Sequence, residues 1–329
     1  MVNDFQIFPL LTHHHFENVM AAENETVVTE FILTGLSEYP RAQAVFFWFL
    51  LIAYLISVLG NGLIILLSIK DPDLHTPMYF FLCVLSSLDL IVTNNALPNV
   101  LVNCFIYMPT ISFSGCLLQM YIGLLVVATE CIILAIMAYD RLVAICQPLY
   151  YMQIMSWRVC IALVAVSVTI CFLYTVATAL LRPTDFCGRH IINHFACELQ
   201  SFLKLACSDT HISELFMQIS SLFLLIPPFG FIVVTYGRIG LAVVRIRSAQ
   251  GRKKAFSTCS SHLLVVSVFY GTIMIMYLNP QGKSVSEKDK LISLMYGALT
   301  PMLNPLIYSL RNKDVKGAFW KLVGRKISE

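Results

Sequence analysis

Two carboxylates stand inside runs that are otherwise apolar: Asp89, within PMYFFLCVLSSLDLIV, and Glu130, the one charged residue between Cys116 and Tyr139. An ionised group at bilayer depth is costly, so such a residue faces protein partners or water rather than lipid. Asp89 has a structural reading, a hydrogen-bonded acid, and a functional one, a cation ligand. At similar depth the two acids repel if both ionise. Either one keeps a proton or the pair shares a cation, sodium being the ion expected, with Asn304 as a further oxygen ligand. Farther along, Asp140 sits beside Arg141, an arrangement in which a carboxylate holds a guanidinium until another group competes for it. His13, His14 and His15 have no cysteine or further histidine near them and read as a solvated tail rather than a metal site. No acid pair or histidine stands at nucleophile or metal-ligand spacing, so the chain does not read as an enzyme.

Membrane spans must position these groups. In 329 residues, 58% are hydrophobic and 12% charged, too little polar surface to coat a soluble globule. The fold class expected is an all-α membrane protein, a seven-transmembrane helix bundle. At about 1.5 Å of rise per residue, Cys116 to Arg141 reaches roughly 37 Å, enough for a hydrocarbon core and part of its headgroups. The other spans are Ala44–Ile69, Pro77–Leu101, Val159–Leu181, Leu215–Val244, a helix from near Lys254 to Leu278, and Leu291–Leu310. Asn61, in the Gly60-Asn61-Gly62 interruption, must find a partner inside the bundle. Pro227-Pro228 softens the fifth span.

Seven spans put the termini on opposite sides. Arg245, Arg247, Arg252, Lys253 and Lys254 cluster with Arg311, Lys313, Lys316, Lys321, Arg325 and Lys326 on the side of the carboxyl-terminal tail. This bias makes that side cytoplasmic and the amino terminus external. The expected organisation is an extracellular tail over 1–43, a seven-transmembrane bundle over 44–310, and a cytoplasmic amphipathic helix and tail over 311–329. The sequon at Asn24 agrees with an external amino terminus, and residues 1–43 lack the basic and apolar regions of a cleaved leader. No internal repeat with paired interrupted helices suggests a transporter, and no nucleic-acid partner is expected.

Of eleven cysteines, Cys104, Cys116, Cys187, Cys197 and Cys207 fall on the external side, where four paired cysteines allow three connectivities. A pocket follows from helix geometry. Moving outward from Arg141, Val127 and Ala128 lie about four turns up and Gly123 and Leu124 one turn further. Across the bundle Tyr270, Ile273, Met274 and Tyr277 share one helical face, an arrangement that fits an ordinary apolar interface for Ile273 and Met274 equally well. Ser220 and Ser221 add hydroxyls. With no Lys or Arg in the outer halves of the third, fifth and sixth spans, such a site suits small neutral molecules and not free carboxylates, which need a cationic partner.

Four stretches, PMYFFLCVLSSLDL at 77–90, MAYDRLVAIC at 137–146, KAFSTCSSHLLVV at 254–266 and PMLNPLIYSLRNKDV at 301–315, together resemble the olfactory receptors, rhodopsin-like G-protein-coupled receptors. The resemblance runs from about Glu23 to Lys326. It departs at Leu142, where the family usually has Tyr, and at Val168, where a tryptophan is common. It implies a plasma-membrane, multi-pass receptor for a small volatile odorant, coupled to a heterotrimeric G protein of the stimulatory, cAMP-raising type. By the same resemblance, Asp140, Arg141, Asn304, Pro305 and Tyr308 form the coupling switch. Tyr270 stands in for the superfamily's tryptophan pivot, and the pairs are Cys116 with Cys197 and Cys187 with Cys207. His194, Cys197 and Glu198 also read as a soft-metal site, but an oxidised Cys197 cannot supply a thiolate. MAAENETVVTEFILTGLS resembles the family's amino terminus, so Met20 rather than Met1 is expected to begin the receptor-like part.

Overall fold

Seven helices long and apolar enough to cross a membrane make up most of the computed structural model, which describes residues 28–35, 40–106, 108–183, 185–245, 248–278 and 287–324. They are α1 (Pro40–Lys70), α2 (Pro77–Asn103), α3 (Phe113–Cys146), α4 (Trp157–Leu180), α5 (His211–Val244), α6 (Ala249–Leu278) and α7. Helix α7 is built of Glu287–Leu294, a π-helical stretch Met295–Leu299, and Thr300–Arg311. A shorter helix, α8 (Lys313–Leu322), follows it. Several helices start earlier than the hydropathy pattern suggests, α3 at Phe113 and α5 at His211, because the first turn of a helix at the membrane boundary can be polar. Ser112 caps α3, its side chain accepting from Gly115 N.

Polar residues inside the spans do not interrupt them, for a local reason. Ser87, Thr129, Ser167, Thr175, Ser267 and Thr272 each donate a hydroxyl to the carbonyl four residues back. The helix thus satisfies them internally, as a lipid environment requires.

Proline placement is answered from a neighbouring helix. Pro305 has no N–H for the carbonyl of Pro301, and that carbonyl accepts instead from Asn61 Nδ2 at 3.0 Å. Gly60, one residue earlier, lets α7 approach: a Cβ there would lie 2.8 Å from the Pro305 ring. The partner required for Asn61 is therefore a carbonyl that proline orphans.

At the end bearing the disulfides, β1 (Glu30–Leu33), β2 (Thr110–Ser112) and β3 (Ile191–Ile192) form a small sheet in the order β2-β1-β3. β1 runs antiparallel to β2, Phe31 opposite Ile111, and parallel to β3, Ile32 opposite Ile191. The polar tail expected over 1–43 thus contains an ordered strand. Its period-two pattern buries Phe31 and Leu33, with Phe31 set among Phe113, Phe186 and Phe202. Met20 and the Asn24 sequon lie outside the described residues.

Candidate functional site

Polar side chains gather at three levels: mid-depth, the end bearing α8, and beneath the disulfide-linked loop. At mid-depth Asn304 of α7 donates through Nδ2 to both Asp89 carboxylate oxygens, at 3.1 and 2.9 Å. Glu130 of α3 is 2% exposed and within electrostatic reach of Asp89. Its Oε1 has no hydrogen-bond partner. The structure brings the three expected residues together, with Asn304 turning its amide nitrogen to Asp89. A carboxylate pair with an orphaned oxygen suits either a shared proton or a hard cation.

At the α8 end Asp140 is buried, and its Oδ1 accepts from Tyr151 Oη at 2.8 Å. Among the described residues no direct ion pair joins Asp140 to Arg141, although the Arg141 charge is within electrostatic reach of that carboxylate. Consecutive residues on a helix do not face each other, which disfavours a direct bond between the two. The Arg141 charge is within reach of Tyr236, His262 and Tyr308. Tyr236 Oη of α5 meets His262 Nδ1 of α6 at 2.7 Å, and the buried Tyr308 Oη has no partner. Sequence reasoning singles out none of Tyr151, Tyr236 and His262. Only His262, a lone imidazole in the apolar run that follows FSTCSS, carried a signal.

The expected pocket residues divide between two packing groups. Val127, Tyr270 and Ile273, with Met274 at the margin, belong to the central core of the bundle. Leu124 belongs to a separate cluster with Met120, Cys197, Leu199, Phe202 and Leu203, a lid made by the loop after α4. Tyr270 is 1% exposed, and its Oη donates to Cys131 O at 2.9 Å, tying α6 to α3. Ser220 Oγ donates to Phe216 O at 2.6 Å, so its proton is committed to its own helix. Gly123 faces α2, where an added Cβ would meet Asn95 Nδ2 at 3.8 Å. Ala128 and Ser221 are buried. The side chain of Tyr277 lies outside the described residues.

One disulfide ties the lid to α3 and the other closes the loop on itself. The disulfides pair Cys116 with Cys197 and Cys187 with Cys207, and Cys104 is a free, half-buried thiol. Cys197 N donates to Gln119 Oε1 at 2.8 Å, and Gln119 exchanges amide–carbonyl bonds with Asn95 at 2.9 and 2.8 Å. His194 Nε2 lies 3.2 Å from Glu198 Oε2, which also accepts from Ser293 Oγ of α7 at 3.2 Å. Burial holds the His194 imidazole down to about 4 and pushes the Glu198 carboxyl up to about 7. With its sulfur in a disulfide, Cys197 offers no thiolate, and the soft-metal reading loses its strongest ligand.

Seven apolar helices under a tethered lid, with α6 tied to α3 through Tyr270 and a polar cluster at the opposite end, have the architecture of a seven-helix membrane receptor. Residues 50–326 match the olfactory receptor family. The chain is 51% identical to human olfactory receptor 13H1 over 304 residues, covering 92% of this chain and 99% of that one. It is 48% identical to human olfactory receptor 2G3, over 94% and 100% of the two chains, and 48% identical to mouse olfactory receptor 5AR1, over 93% and 99%. The chain belongs to the olfactory receptor family: it is a multi-pass plasma-membrane receptor, not an enzyme.

Proposed function

We propose that this receptor binds small, neutral volatile molecules between α3, α5 and α6, beneath the disulfide-tethered lid, and raises cAMP through a stimulatory heterotrimeric G protein. Its amino terminus is external and Asn24 carries the glycan. The observation that carries the reading is that Leu124, Val127, Ala128, Ser220, Ile273 and Met274, the residues expected at this level, are all uncharged and buried or partly buried. Tyr270 sits among them, with an oxygen that retains acceptor capacity after donating to Cys131. Ligand displaces packing around Tyr270, α6 moves relative to α3, and the Arg141 end opens to the G protein. Asp89 and Glu130 are the residues that would hold a sodium ion at mid-depth; the ion would supply the charge that otherwise requires a proton.

A cAMP reporter screened against a broad volatile panel tests this. Burial of one methylene is worth about 0.8 kcal/mol, so responses should be graded across chain length. Ala128→Phe fills volume and should move the preferred ligand to shorter homologues. An unchanged ranking in that variant removes Ala128 from the pocket.

A further inference from the structure

The strand β1 ahead of α1 is four residues long, yet it is bonded along both edges. Toward β2, Leu33 N donates to Pro109 O at 2.9 Å and Phe113 N to Thr29 O at 2.9 Å; toward β3, Ile32 N donates to His190 O at 2.8 Å and Thr34 N to Ile192 O at 3.1 Å. Thr34 Oγ1 adds a bond to Asn193 Oδ1 at 2.9 Å. Because β2 runs directly into α3 and β3 belongs to the lid, β1 bridges the same two parts that Cys116 and Cys197 join.

Below the sheet the bridge is made of rings. Phe31 is 0% exposed, and with Phe113 of α3 and Phe186 and Phe202 of the lid it forms a closed quartet, all six ring pairs having centroids 5.1 to 6.4 Å apart. Removing one ring leaves the other three facing a void that they can fill only by moving. The packed cluster continues through Cys197, Leu199 and Leu203 to Met120 and Leu124 of α3. Leu124 stands at the outer rim of the proposed odorant site.

We propose that β1 is the outermost layer of the cover over that site, and that Phe31 controls access to it from the external water. Seated in the quartet, Phe31 holds the lid on α3; withdrawn with its strand, it frees Phe202 and the turn Leu199–Leu203 to lift from Met120 and Leu124. That an odorant is what passes rests on the site reading given above. Phe31 acts through the lid, so it is a positioning residue.

The register supplies a lock. Leu33 and Thr29 bond across to β2 and Phe113, so alternation makes Ile32 and Thr110 a non-hydrogen-bonded pair. In an antiparallel ladder such Cα atoms lie about 4.5 Å apart, within the span of a disulfide.

The test needs no agonist. A reporter chain is full-length receptor in phosphatidylcholine nanodiscs with Leu124→Cys, and with Cys104→Ser to remove the free thiol that lines the same crevice as Leu33. It is exposed to the membrane-impermeant cation 2-(trimethylammonio)ethyl methanethiosulfonate, and modification at position 124 is followed by peptide mass spectrometry. Labelling of a buried thiol follows the population of locally opened chain, so Phe31→Ala should accelerate it roughly tenfold. Equal rates with and without Phe31→Ala overturn the proposal. Should that variant fail to fold, Phe31→Leu keeps an apolar side chain without the ring; a smaller rise is expected, and its absence overturns the proposal. Oxidised Ile32→Cys with Thr110→Cys should reverse the rise in Phe31→Leu. A rise that the lock leaves in place reports a loosened core instead of strand withdrawal, and also overturns it. So does neutral methyl methanethiosulfonate labelling the reporter chain as fast as its Phe31→Ala variant, since the open route then runs from the lipid. Failure of the odorant-site reading shows separately, as an unchanged ranking in Ala128→Phe, and leaves these labelling rates as they are.

Discussion

His194 and Glu198 trade protonation states when the lid folds. Unfolded, their ordinary values of 6.5 and 4.5 leave imidazolium and carboxylate at pH 5.5; folded, His194 at about 4 and Glu198 at about 7 leave imidazole and carboxylic acid. Each state then binds one proton, so this pair makes stability flat in pH between about 4.5 and 6.5. Above that window the folded state holds a proton on Glu198 that the unfolded state lacks, and stability falls as pH rises to about 7. Glu198→Gln removes the compensation. His194 alone then disfavours protonation in the fold, so the variant should lose stability steadily as pH drops from 6.5 to 4, read as a melting temperature across pH. A flat profile in Glu198→Gln would show that His194 is not buried in its neutral form. At mid-depth the equivalent question is what neutralises Asp89 and Glu130. Asp89→Asn and Glu130→Gln should each abolish any sodium dependence of the agonist response while the receptor still reaches the surface. Sodium sensitivity that survives both changes places the ion elsewhere.

Between elements, the contact of α1 with α7 depends on two adjacent residues doing different jobs. Gly60 admits the Pro305 ring, and Asn61 supplies the donor that Pro305 withholds from Pro301. Gly60→Val should therefore push α7 outward and sharply reduce surface expression. Asn61→Ala leaves a buried carbonyl unpaired, at a cost of about 1–3 kcal/mol, and should lower the melting temperature of purified receptor by several degrees. Wild-type behaviour of both variants would mean that α7 does not rest on this pair. Docking of α8 follows a similar division. Tyr79 of α2 donates to Asp314 Oδ2 at 3.0 Å and accepts from Asn312 Nδ2 at 2.8 Å, while Val315 and Ala318 are buried. Lys321 also pairs with Asp71 and Asp73, but its side chain is 60% exposed, and exposed pairs contribute little.

For the receptor as a whole, signalling requires that events near Tyr270 reach Arg141, about three turns along α3 from Cys131. The Arg141 charge is within electrostatic reach of Asp140 on its own helix and of Tyr236, His262 and Tyr308, which belong to three other helices. Arg141→Ala should abolish the cAMP response to any agonist found, with surface expression retained, because the residue is far from the ligand and makes no direct ion pair among the described residues. A preserved response would remove Arg141 from the coupling route.

The number of spans, their approximate ends, the olfactory-receptor class and the burial of Asp89, Glu130 and Asn61 were all legible in the sequence. Each follows from a local rule: apolar length against bilayer thickness, motif identity, and the cost of polar groups in hydrocarbon. The disulfide partners needed the family resemblance, since spacing alone permits three pairings. What local rules could not reach is which atoms meet across helices. Asp140 takes its hydrogen bond from Tyr151, Asn304 turns its amide nitrogen to Asp89, and Leu124 packs under the lid rather than with Val127. These outcomes depend on the rotation of each helix about its axis, and that is set by the packing of all seven together. Hydropathy does not report it, because a span that is apolar on every side carries almost no orientational signal.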